Sequence, residues 1–248
     1  ADVTVINDDY CGTDINVQCG STHLEPLRAL VAECSADVGI AHDGDADRVM
    51  LMDSEGNEID GDMVEAVCAI DLKQRGLLAG DTAVSTVMAN LGLTHALRDA
   101  GINLIQTKVG DRYVLEAMRE GGYVIGGEQS GHTIFLEHNS TGDGLVTALQ
   151  FLAACKRAGK SAGEAAKAMT RFPQTLINVR VKDKHAADGN QAIADAVAAA
   201  EAALGEDGRV LLRPSGTEPV VRVMVEAMDE QAAEQHAKAI AEVVEREI

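Results

Sequence analysis

Three carboxylates stand at every second residue in Asp43-Gly44-Asp45-Ala46-Asp47-Arg48. Gathered in a folded loop they repel one another, and the natural relief is a cation that all three share. Oxygen-only donors select a hard ion, Mg²⁺ or Ca²⁺. A calcium-binding EF-hand loop does not fit. Its sixth position needs Gly and holds Arg48, and its twelfth needs Glu and holds Ser54. A solvated acidic turn is the plain alternative; the strict spacing favours the metal.

Three more segments carry chemistry. In Gly126-Gly127-Glu128-Gln129-Ser130-Gly131-His132, glycines let the backbone approach a ligand. The side chains offer donors and acceptors suited to sugar hydroxyls. Taken alone, the segment is equally a decorated hairpin turn. Arg213-Pro214-Ser215-Gly216-Thr217-Glu218-Pro219, followed by Arg222, sets backbone amides, two hydroxyls and two guanidinium groups where they can cradle a phosphate. The alternative is a surface hairpin with incidental arginines. Thr107-Lys108-Val109-Gly110-Asp111-Arg112-Tyr113 brackets a glycine with two cations at a strand-to-helix turn. It suits phosphate binding or acid–base work, and equally plain helix capping by Asp111. Cys11, Cys19, Cys34, Cys68 and Cys155 are odd in number and contain no C-x-x-C, so they read as reduced thiols.

These loops need a scaffold, and the 248 residues supply one. Hydrophobic residues make up 46% and no apolar run nears membrane-spanning length, so a packed, non-membrane chain is expected. Forty acidic residues against 21 basic ones give a net charge of -19, which excludes general binding to a phosphate backbone. The first residue is Ala1, which points to a processed or excised chain. Strands are expected at Val3–Ile6, 37–41 (a buried one) and 49–52, with a helix over 22–34 between the first two. Helices near 63–75, 94–99, 113–119 and 145–157 alternate with strands at 83–88, 103–108, 123–125 and 133–136, and a short helix passes through Ala165 and Ala166. That alternation implies a mostly parallel sheet with helices on its faces. Beyond Pro173 the order changes: strand 176–181, helix 192–204, strands 209–212 and 220–225, helix 230–245. This is a compact α+β unit. The expected division is therefore 1–54, with the acidic loop; 55–172, with the polar loop; and 173–248, with the phosphate loop.

In order and separation, Asp-Gly-Asp-Ala-Asp-Arg at 43–48, Gly-Glu-Gln-Ser-Gly-His at 127–132 and Arg-Pro-Ser-Gly-Thr-Glu-Pro at 213–219 resemble the metal, sugar and phosphate loops of the α-D-phosphohexomutase family. The stretch 107–113 and Gln129 are most similar to the bacterial branch acting on glucosamine phosphates, and Cys19-Gly20-Ser21-Thr22-His23-Leu24 is similar to the stretch leading to that branch's metal loop. The resemblance runs essentially from end to end. It implies α/β mixed-sheet domains, one truncated and one complete, followed by a small α+β domain. It also implies a C-terminal fragment, inactive alone. The family's Ser/Thr-Ala-Ser-His-Asn-Pro segment, whose serine carries the transferable phosphoryl group, does not occur here. His138-Asn139 is followed by Ser140 and does not match.

For the intact enzyme the resemblance implies interconversion of glucosamine 6-phosphate and glucosamine 1-phosphate, a cell-wall precursor, through a 1,6-bisphosphate. Asp43, Asp45 and Asp47 then hold Mg²⁺ with the phosphoserine, and Arg48 lies beside the transferred group. Lys108 assists proton transfer or charge stabilisation. Glu128, Ser130 and His132 hold the sugar, and Arg213, Ser215, Gly216, Thr217 and Arg222 grip the distal phosphate. A bridge near Pro173 lets the last domain open. The implied partner is a phosphorylated hexosamine in the cytoplasm, with no nucleic acid and no membrane, and room for a homodimer. Two alternatives stay open: a mutase acting on glucose or mannose phosphates, and a non-catalytic module binding Mg²⁺ and a phosphosugar.

Overall fold

A computed structural model describes residues 1–8, 12–215 and 218–248. Gly216, Thr217 and Cys11 therefore lie outside the described residues. The chain forms two compact units, Ala1–Thr170 and Arg171–Ile248.

The first unit opens with helix α1 (Glu25–Cys34), which carries Pro26 in its first turn and ends at Ser35 in the left-handed region. Its Leu27 and Val31 pack on an antiparallel sheet of β1 (Val38–His42), β2 (Val49–Asp53) and β3 (Glu58–Ile59), in the order β1-β2-β3. The register pairs His42 with Val49, so residues 43–48 are the loop of a β-hairpin. The return to β3 is fixed by Asp53, whose carboxylate accepts N–H bonds from Glu55 and Asn57 at 2.9 and 2.8 Å. Burial raises the Asp53 pKa, but these bonds outweigh it and hold the carboxyl below the usual range.

Asp60 caps α2 (Gly61–Gln74) by accepting the Met63 N–H at 3.1 Å. The chain then alternates: β4 (Thr82–Thr86), α3 (Leu91–Asp99), β5 (Asn103–Thr107), α4 (Asp111–Gly121), β6 (Ile125–Gly127), β7 (Thr133–Phe135), α5 (Gly144–Ala158) and α6 (Ala162–Ala166). The sheet order is β5-β4-β6-β7; β4 runs parallel to β5 and β6, and β7 is antiparallel. Leu72, Leu93, Leu97, Ile125 and Phe151 bury one face beneath α2, α3 and α5. Val84, Val114, Met118 and Ile134 bury the other beneath α4. Helices on both faces match the alternating pattern. Val49 and Leu51 of β2 belong to the same large core, which anchors the small hairpin to this scaffold.

The second unit is an antiparallel sheet of β8 (Gln174–Arg180), β9 (Gly208–Pro214) and β10 (Val220–Ala227), ordered β8-β10-β9. Helices α7 (Gln191–Leu204) and α8 (Glu230–Glu247) cover it through Val179, Val221, Val223, Val225, Ile193, Ile240 and Val244. Opposite them, buried Glu226 pairs with Arg209 at 2.8 Å.

Three expectations differ. Val3–Ile6 is no strand; these residues are exposed, and no described strand offers their backbone a partner. β1 is not buried throughout, since Ile40 is 37% exposed. Tyr123 does not begin β6. Gly122 closes α4 in the left-handed region, and the Tyr123 N–H is spent on the Met118 carbonyl at 2.9 Å, so pairing starts later.

Candidate functional site

The hairpin loop between β1 and β2 brings one carboxylate oxygen each from Asp43, Asp45 and Asp47 within 4.8 Å of one another. The loop is tied internally: Ala46, at φ 57, donates its N–H to the Asp43 carbonyl at 3.1 Å, and the Arg48 N–H reaches Asp43 Oδ1 at 3.1 Å. Burial and then the charge of Asp43 raise the Asp47 pKa; the charge of His132 opposes them. A divalent cation would relieve that repulsion. Its three oxygen donors suit the hard ion expected, so the residues present fit the ion.

The polar loop after β6 is wedged between this hairpin and α2. The Val49 N–H donates to the Gly131 carbonyl at 3.1 Å, the Gly61 N–H to the Gln129 carbonyl at 3.0 Å, and the loop closes on itself from Glu128 N–H to the His132 carbonyl at 2.9 Å. Arg48 and His132 form an isolated antiparallel bridge. Gly131 has φ 94 and lies against the Val49 backbone, leaving no room for a side chain. The amide of Gln129 points at Asp60 Oδ2, 3.4 Å away.

Individual side chains fall into two groups. Ser130, Arg48 and Lys108 are exposed. Half-buried Glu128 accepts the Gly110 N–H at 3.0 Å, which ties the polar loop to the Lys108 turn. Gly110 has φ 129, a conformation suited to glycine. Arg112 pairs with Glu116 at 2.7 Å along α4. His132 is placed differently from expectation. It is 2% exposed, with Nε2 accepting the Gly142 N–H at 3.2 Å and lying 3.5 Å from Asp47 Oδ2. It stands beneath the acidic loop, where Nε2, by accepting the Gly142 N–H, fixes the turn that leads into α5.

Positioning residues outside the four motifs complete this part. Gly144 donates its N–H to the Ala46 carbonyl at 2.9 Å, and a Cβ there would lie 2.6 Å from the Arg48 carbonyl oxygen. Asp143 caps α5 through the Val146 N–H; that bond, ahead of the opposing burial, lowers its pKa. Asp60-Gly61-Asp62 and Gly142-Asp143-Gly144 repeat the Asp/Gly chemistry of the acidic loop, a signal present in the sequence but weak without its contacts. Deeper in, Glu65 of α2 is fully buried. Burial first and the charge of Asp62 second raise its pKa well above the carboxylate range, against the influence of Ser85.

The phosphate loop belongs to the second unit. Arg213 and Arg222 sit opposite each other across β9 and β10. Burial first and the Arg222 charge second lower the Arg213 pKa. Arg222 Nη2 is 3.4 Å from Glu218. Ser215 is buried; its N–H donates to the Val220 carbonyl at 2.9 Å and its Oγ accepts the Glu218 N–H at 3.3 Å. Two like charges held side by side at a tight turn are fitted to receive an anion.

Residues 60–172 match the family described as phosphoglucomutase/phosphomannomutase, alpha/beta/alpha domain III, and residues 176–243 match its C-terminal domain. Phosphoglucosamine mutase of Frankia alni is 57% identical over 98% of the chain and 54% of its own length. That of Paenarthrobacter aurescens is 54% identical over 100% and 55%. The chain thus spans about half the length of the curated relatives it matches. Among solved structures, Aspergillus fumigatus N-acetylphosphoglucosamine mutase in complex with GlcNAc-6P and magnesium superposes with a TM-score of 0.80 at 21% identity, covering 98% of this chain and 60% of that one. A phosphoglucomutase/phosphomannomutase family protein of Burkholderia thailandensis gives 0.73 at 23%, covering 91% and 50%. These two show the fold. No helix among the described residues is long and apolar enough to cross a membrane.

Proposed function

Because the chain belongs to the phosphoglucomutase/phosphomannomutase family, we propose that its loops serve the interconversion of glucosamine 6-phosphate and glucosamine 1-phosphate in the cytoplasm. The observation that carries the reading is the convergence of the Asp43, Asp45 and Asp47 carboxylates on a loop bonded to the Gly127–His132 segment. The names of relatives at 54% and 57% identity support the hexosamine.

Asp43, Asp45 and Asp47 hold Mg²⁺, which when bound neutralises charge on a transferring phosphoryl group. Arg48, exposed at the end of the same loop, steadies that group's oxygens. Glu128 accepts from a sugar hydroxyl, and Ser130 both accepts and donates. Lys108, on the turn that Glu128 anchors, stabilises charge near the reacting hydroxyl. His132 fixes the Gly142 turn beneath the acidic loop. Arg213, Ser215, Gly216, Thr217 and Arg222 hold the phosphate not being transferred. A mutase must accept its bisphosphate either way round, and a site that reads only a phosphate allows this. The serine that carries the phosphoryl group is not among these 248 residues, so this chain binds substrate without turning it over. In domain terms, residues 1–54, with the β1–β2 hairpin, end the family's second domain, 55–172 form the third and 173–248 the fourth.

Calorimetric titration with glucosamine 6-phosphate and glucose 6-phosphate in Mg²⁺, beside a mutase assay primed with a hexose 1,6-bisphosphate, tests this. The expected result is tighter binding of the glucosamine ester, lost in D45N for the metal, and no turnover. Equal binding of both sugars would remove the hexosamine assignment. Turnover would remove the assignment of the phosphoryl carrier to a serine outside this sequence.

A further inference from the structure

One cation beside the phosphate loop lies outside every motif. Lys184, in the connection after β8, donates from Nζ to the Ser215 carbonyl at 2.6 Å. The same connection is stitched to the loop by the Val181 N–H, which donates to the Pro219 carbonyl at 3.1 Å. Between them is an open hollow of about 390 Å³ lined by Lys182, Asp183, Lys184, His185, Glu218 and Pro219. Ser215 is the pivot of the turn. Its N–H, its Oγ and its carbonyl oxygen are each engaged, by Val220, Glu218 and Lys184 respectively.

We infer that Lys184 is a positioning residue of the phosphate site. Resting on the reading of residues 213–222 as a phosphate site, the inference adds a residue to it. A carbonyl oxygen and a phosphate oxygen repel, so an anion-binding turn must keep its carbonyls facing away from the anion. The Lys184 ammonium does this for Ser215. It holds the carbonyl toward the connection after β8, while Arg213 and Arg222 stand paired on β9 and β10. Its charge also falls on the residue that opens the turn between Arg213 and Arg222, in a chain whose net charge of -19 disfavours anions elsewhere. Lys182 and His185 line the same hollow, where the His185 ring faces Asp188 at 3.7 Å and Glu218 faces Arg222 at 3.4 Å.

The test is titration of the 248-residue chain with glucosamine 6-phosphate and with inorganic phosphate, for the parent, K184M, K184R and R213Q, with thermal midpoints measured on the same samples. Loss of a charge-assisted bond predicts about tenfold weaker binding of both ligands in K184M. Its midpoint should fall only slightly, as the Ser215 carbonyl loses one partner, and K184R should recover part of both the affinity and the midpoint. If R213Q weakens binding while K184M binds like the parent, the Lys184 assignment alone is wrong. A K184M loss that comes with a much lower midpoint and is not recovered by K184R also overturns it, since Lys184 would then serve folding only. If the parent does not bind, or R213Q binds equally well, the phosphate-site reading falls and takes this inference with it.

Discussion

Replacing Gly61 with Ala sets two physical rules against each other. Gly61 is the first residue of α2. By helix propensity alone, Ala gains up to about 1 kcal/mol there. By packing it loses. A Cβ at this position would collide with the Glu128 carbonyl oxygen and lie 2.8 Å from the Gly131 nitrogen and 3.0 Å from its Cα. These are backbone atoms, and neither side yields easily. The loop is held by Val49 and by its own closure, and the helix start by the Asp60 cap. Forcing the methyl in costs about 1–3 kcal/mol of overpacking strain. Opening the bond from the Gly61 N–H to the Gln129 carbonyl adds about 1 kcal/mol. After the propensity gain, a net loss of about 1–3 kcal/mol remains. Urea denaturation followed by circular dichroism measures it directly, as a midpoint lowered by about 1 M with little change in slope. Binding of glucosamine 6-phosphate should weaken as well, because the displaced loop carries Glu128 and Ser130. A G61A variant as stable as the parent, or more so, would refute the claim that the loop is wedged against α2.

Two further outcomes concern pH. Glu65 has its pKa raised well above 4.5, so its contribution to stability is complete below that value and is lost as pH rises through the folded-state value. E65Q should flatten that decline, seen as urea midpoints that fall less than the parent's between about pH 5 and about pH 8. Asp71 behaves oppositely. Burial raises its pKa, but two bonds of 2.7 Å from Arg157 and one from Arg75 outweigh it and lower the value below 3.8. The link from α2 to α5 should therefore contribute about 1 kcal/mol at neutral pH. The gap between parent and D71N should close as pH falls through the folded-state pKa of Asp71, which thermal melts in acid would follow.

Much of the fold was legible because hydrophobic period and turn chemistry agree along most of the chain. The 3.6-residue pattern marks α3, α4 and α5, Gly101 and Gly122 follow the first two of them, and Pro173 lies close to the change of unit at residue 171. What failed depended on partners. Val3–Ile6 has strand residues but no strand beside it among the described residues. The spacing of Asp43, Asp45 and Asp47 was readable because a hairpin loop brings near neighbours together. His132 and Gln129 were harder. Both belong to a segment with sugar-like chemistry, yet one is buried under Asp47 and the other turns to Asp60, eighty-five and sixty-nine residues away in sequence. Long-range contacts of that kind leave no periodic trace. Asp60, Gly61, Gly142 and Gly144 were missed for the same reason: their composition signals a turn, and only the structure says what the turn supports.

The loop from Glu128 to Gly131 is fastened almost entirely through its main chain: Gly61 to Gln129, Val49 to Gly131, and Glu128 to His132. A frame of that kind is indifferent to what its side chains are, apart from the glycines that let the backbones meet. Position 130 can therefore change its chemistry at little structural cost, and position 128 at the cost of one bond to Gly110. Selection for a new hexose can act on those positions while the scaffold stays as it is. Variation within this loop should accordingly accumulate at its side chains and be scarce at Gly61 and Gly131, which marks the place to begin altering sugar preference by design.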